Sequence, residues 1–131
     1  MTGADIIGAL LLADTAMMEM FTPAQVKGGR LPDDVTLPAL LVKETSTVER
    51  HTLKREGTTR TIDRVSVTVR ADSYRDQRKA MLLVKNCCAG RTGDLGGATR
   101  VSILTAGRGP ELDGPGNTFE RTQDFKVSYD A

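Results

Sequence analysis

A chain of 131 residues, 39% hydrophobic and 27% charged, has the make-up of one globular domain covering 1–131 and excludes wholesale disorder. Its formal charge of +1 supplies no overall field toward nucleic acid or anionic lipid, so any electrostatic function has to be local. With no Trp, two Tyr and three Phe, the core must rest on Leu, Ile, Val and Met.

Residues 4–20 read as a helix. Thr2 or Gly3 stands near its cap, and Asp5 lies in the first turn, where a negative side chain suits the exposed N–H groups. Ile6, Ile7, Leu10, Leu11, Met17 and Met18 recur at near-helical spacing. Asp5 and Asp14 bracket this apolar run and the first basic residue is Lys27, which argues against a secretion signal or a membrane span. Thr22 and Pro23 end the helix, because proline disfavours helical geometry in the residue before it.

The stretch GGRLPDDVTLPALLVKE follows at 28–44. Gly28 and Gly29 permit a tight turn, and proline cannot serve a central ladder, so a pairing strand is expected only after Pro38. That strand runs from Ala39 to about Thr47 and on through a polar ribbon to Leu53, turns at Arg55 to Thr58, and returns from Thr59 to Ala71. On the return leg Val65, Val67, Val69 and Ala71 alternate with Arg64, Ser66, Thr68 and Arg70, the period of a half-buried antiparallel strand. Ser46 to Thr61 holds few apolar residues, which predicts a long projecting β-hairpin.

Ser73 and Asp76 form a cap-like pair opening a second helix, with Tyr74, Met81, Val84 and Cys88 on one stripe. The glycine-rich 90–97 reads as a surface connection. A third strand at Thr99 to Thr105, a loop at Ala106 to Asn117 and a last strand at Phe119 to Tyr129 complete the chain. The fold class expected is α+β, with a mostly antiparallel four-stranded sheet and two helices packed on one face.

Chemistry is sparse. His51 has no second histidine near it, and the adjacent Cys87 and Cys88 match neither a disulfide framework nor a zinc site, pointing instead to a reducing birthplace. AGRTGDLGGATR lacks the lysine and the strand-to-helix order of a phosphate cradle. Glu111 and Asp113 in a flexible loop read as solvated acids. No catalytic, cofactor-binding or metal-binding residue is therefore assigned, and no enzyme activity is expected. The mixed charges of the hairpin, Glu49, Arg50, Lys54, Arg55, Glu56 and Arg60, with Glu44, Asp63 and Arg64, allow a charged edge that resists mispairing or an inter-subunit contact in which opposite signs meet. Glu49, Arg50, Lys54, Arg55, Glu56, Arg60, Arg108 and Glu111 are the candidate contact residues.

Val26, Gly29, Leu31, Pro32, Leu37, Pro38, Ala39, Leu40 and Val42, then Ala71 to Tyr74, then Gln123 to Tyr129, in that order and spacing, resemble the tail terminator or tail completion family of siphophages and related particles. The resemblance covers most of the chain. It implies a structural virion protein, assembled in the host cytoplasm, that forms a hexameric ring with copies of itself on the head-proximal end of a tail tube. Its partners would be the tail tube protein and a head connector, with DNA passing through the lumen unread and no membrane involved. A head-completion or connector ring protein of the same neck region is the alternative. An enzyme using Cys88, His51, Glu111 or Asp113, and a nucleic-acid-binding module, are more distant readings.

Overall fold

The computed structural model describes residues 2–50, 60–114 and 116–130. His51, Lys54, Arg55, Glu56 and the turn expected at Arg55 to Thr58 lie outside the described residues. Helix α1 (Gly3–Ala13) is followed by α2 (Thr15–Met20), a 3-10 turn at Pro23–Gln25 and the short strand β1 (Val26–Gly28). Strands β2 (Ala39–Arg50) and β3 (Arg60–Ala71) lead to helix α3 (Tyr74–Cys88). Strands β4 (Thr92–Leu95), β5 (Ala98–Arg108), β6 (Leu112–Gly114) and β7 (Thr118–Asp130) close the chain.

The class remains α+β, but the expected four-stranded sheet with two helices is overturned. Seven strands form one mixed sheet in the order β1-β2-β3-β7-β5-β4, with β6 also paired to β7. The β1–β2 pair is parallel and the others are antiparallel. Three short strands account for the difference. β1 and β6 have three residues each, too few for a period to register, and β4 lies in the glycine stretch expected to be a surface connection. Gly96, with φ +57, makes that segment's turn possible: a Cβ there would sit 3.0 Å from the Cα of Ile6. The β4–β5 turn thus reaches α1, and the sheet wraps the helical layer.

The single helix expected over 4–20 is broken at Asp14, whose extended backbone ends α1 and whose carboxylate accepts from the Ala16 N–H to start α2. Local signals elsewhere act as read. Thr2 and Asp5 form a reciprocal capping box, Ser73 caps α3 by accepting from the Asp76 N–H, and β2 begins directly after Pro38.

The core lies between the helices and one sheet face. Ile6, Ile7, Leu10 and Leu11 of α1 and Ala80, Met81, Val84, Cys87 and Cys88 of α3 pack on Leu40, Val42, Val65, Val67, Val69, Ile103, Phe125 and Val127. Tyr74 departs from its expected stripe and is 44% exposed. Among the described residues no helix is long and apolar enough to cross a membrane.

The hairpin legs are also corrected. Arg60 pairs with Asp130, Thr61 with Tyr129 and Asp63 with Val127, so β7 flanks β3 to its beginning and the described legs belong to the sheet. They do not project as polar ribbon, and Thr61 and Asp63 are buried.

Candidate assembly surfaces

The candidate contact residues that are described separate to two ends of the sheet. Glu49 and Arg50 end β2, and Arg60 opens β3 beside the end of β7. Arg108, opposite Gln123, and Glu111, just before β6, lie toward the other end. Asp130 lies seven positions beyond Gln123 along β7, a distance of about 23 Å in extended chain.

At the first end, charge is largely consumed within the subunit. The Arg60 guanidinium donates to the Arg100 carbonyl at 2.6 Å and pairs with Asp130 at 3.2 Å. Arg100 reaches the other Asp130 oxygen at 3.3 Å, while its own N–H donates to Asp94. Arg60 is thus a strand-end clamp, bringing together residues distant in sequence. Glu49 and Arg50 are exposed at the same end.

Just inside this end lies a polar node that the sequence reading treated as one more surface charge. Asp63 is 1% exposed, and its carboxyl group accepts from the Gly3 N–H, the Tyr129 hydroxyl and the Thr47 hydroxyl, each at 2.7 Å. The node ties the start of α1 to β2, β3 and β7. Gly3 is required by the close approach, since a Cβ would stand 2.8 Å from the Asp63 Cβ. Burial, and then the hydrogen bond to Asp63, push the Tyr129 phenol above its ordinary range. One signal pointed here: Asp63 is two residues from Val65 and shares the buried register of its strand.

The outer sheet face is a ladder of cross-strand polar pairs. Arg64 pairs with Asp124 at 2.8 Å, Ser66 donates to the same carboxylate at 2.6 Å, Thr68 meets Thr122 at 2.8 Å and Arg70 pairs with Glu120 at 2.7 Å. Such pairs fix register across β3 and β7.

At the second end the balance changes. An open groove of about 610 Å³ is lined by Tyr74, Arg75, Gln77, Arg78, Lys79, Met81 and Leu82 of α3 with Arg108 and Arg121. Arg108 donates to the Gln123 amide oxygen at 3.0 Å, and Arg121 meets Glu111 at 3.4 Å. Arg78 stands over the Tyr74 ring at 5.6 Å. Arg75, Arg78 and Lys79 form no ion pair among the described residues. Gln77 is fully buried, yet neither its amide nitrogen nor its oxygen has a hydrogen-bond partner. Leaving such a group unsatisfied costs about 1–3 kcal/mol. The sequence marked Arg108 and Glu111 but missed the α3 side of the groove, because Arg75, Arg78 and Lys79 read as an ordinary solvated helix face.

Both cysteines are buried. The Cys87 thiol donates to the Leu10 carbonyl, and Cys88 is held as a neutral thiol, its pKa pushed far up by the hydrogen bond with Cys87 and by burial. Among the described residues no cluster of three His, Cys, Asp or Glu side chains is placed to hold a metal.

No family model matches the chain, and no curated protein matches its sequence. A solved structure does match in fold. The chain is similar to one in the virion of a native gene transfer agent particle, with a TM-score of 0.70 at 11% identity. The match covers 98% of this chain and 95% of that one. The two share a fold from end to end.

Proposed function

We propose that this protein is a structural component of a phage-like virion and acts by assembly, without catalysis. The observation that carries this reading is the end-to-end fold match to a gene transfer agent virion chain. Within such particles we propose the tail terminator role: a ring on the head-proximal end of the tail tube that halts polymerisation and presents its other face to the head connector. The motif order from Val26 through Tyr129 supports it.

Electron microscopy of purified tail tubes with and without the protein tests the proposal. Density for a ring on one tube end and uniform tube lengths are the expected result. Unlimited tubes with bare ends in the presence of the protein refute it. Localisation to the head connector instead would favour the head-completion alternative.

A further inference from the structure

The groove on α3 and the loop before β2 complement each other. Asp33 and Asp34, at the centre of GGRLPDDVTLPALLVKE, are exposed and form no ion pair among the described residues. Pro32 and Val35 flank them, as Tyr74 and Leu82 flank the groove's cations. The loop is held in place, because Arg70 donates to the Pro32 carbonyl at 2.9 Å and Gln25 donates to the Thr36 carbonyl at 3.3 Å. We infer that the acidic loop at Asp33 and Asp34 of one copy seats in the α3 groove of a second copy of this chain.

Three observations favour this occupant. First, the groove offers unpaired cations and the loop unpaired acids. Second, exposed Tyr74 and Leu82 beside the groove's cations offer apolar contact to Pro32 and Val35 of the loop, which a phosphodiester does not supply. Third, placement fits repeated head-to-tail contact. The loop leads into Ala39, which pairs with Arg70, and Arg70 pairs with Glu120, near the Arg108 to Gln123 end of the sheet. Loop and groove therefore share one end of the molecule. Strand β3 separates β2, into which the loop leads, from β7 and β5, which carry the groove's Arg121 and Arg108. Two different patches at one end of the subunit suit a head-to-tail contact that closes by rotation.

The inference rests on the ring reading, and charge reversal separates the two. Asp33→Lys with Asp34→Lys, and Arg78→Glu with Lys79→Glu, change exposed side chains only, and circular dichroism confirms that each variant folds. Sedimentation velocity on the full chain should show self-association of the wild type, weakened roughly a hundredfold in either double variant. Mixing the two variants, or combining all four substitutions in one chain, should restore it to within about tenfold, because each reversed loop then meets a reversed groove. A monomeric wild type, unchanged association in the double variants, or no rescue overturns the inference. So does a groove variant that loses only binding to a DNA duplex. Variants that still ring tail tubes sink this contact and leave the terminator reading standing. A wild type that self-associates through this contact but leaves tubes bare does the reverse.

Discussion

The two ends of the sheet use their charges differently. At the end marked by Asp130, arginines and acids meet inside the subunit, and a carboxyl group at Asp63 is buried under three donors. At the end marked by Arg108, three cations of α3 remain unpaired beside a buried amide with no partner. Polar groups satisfied within the fold serve architecture. Groups left unsatisfied at a surface stay available to another molecule.

Substitutions at each end should sharpen this contrast. The largest effect is expected for Asp63→Ala, which strands the Gly3 N–H and the Tyr129 hydroxyl and should cost about 3 kcal/mol of stability in urea unfolding. A loss below about 0.5 kcal/mol would show that the node is not structural. Tyr129→Phe removes one of those donors and should cost about 2 kcal/mol. The same residue sets an alkaline limit. Its folded pKa lies above the unfolded value of about 10, so its contribution is complete below that pH. Above it the unfolded chain releases the proton first and stability falls. A stability curve followed upward from pH 9 should decline in the wild type and lose part of that slope in Tyr129→Phe.

Gln77→Met should move in the opposite direction, stabilising the isolated subunit by about 1 kcal/mol by removing an unsatisfied buried amide. Destabilisation on thermal melting would mean that the amide is already satisfied within the subunit. The smallest effect belongs to Arg60→Ala. Its pair with Asp130 is partly solvated, and the expected cost is about 0.5 kcal/mol. A cost several times larger would show that the clamp, and not Asp63, organises that end.

Much of the helical layer and of β3 was legible because its signals are local. The Thr2 and Asp5 capping box, Ser73 ahead of Asp76, and the alternation Val65, Val67, Val69 each depend on residues a few positions apart. What escaped depends on pairing with another strand, which a segment of three or four residues does not announce by its own period. Thr92 to Leu95 became a strand only by pairing with β5, and Leu112 to Gly114 only by pairing with β7. The site was legible in part for the same reason: Arg108 and Glu111 stood out in their loop, whereas the groove beside them needs Arg121 and α3 brought together by the sheet.

By itself the sequence determined the amphipathic elements, their caps and the α+β class, since backbone preference and side-chain period act over one or two turns or a few strand residues. Tertiary structure decided the strand count, the burial of Asp63 and which charges are paired. The last two turn in part on contacts between residues sixty or more positions apart, such as Gly3 with Asp63 and Arg60 with Asp130. Charge read along a chain does not reveal its partner; only the register between strands assigns one.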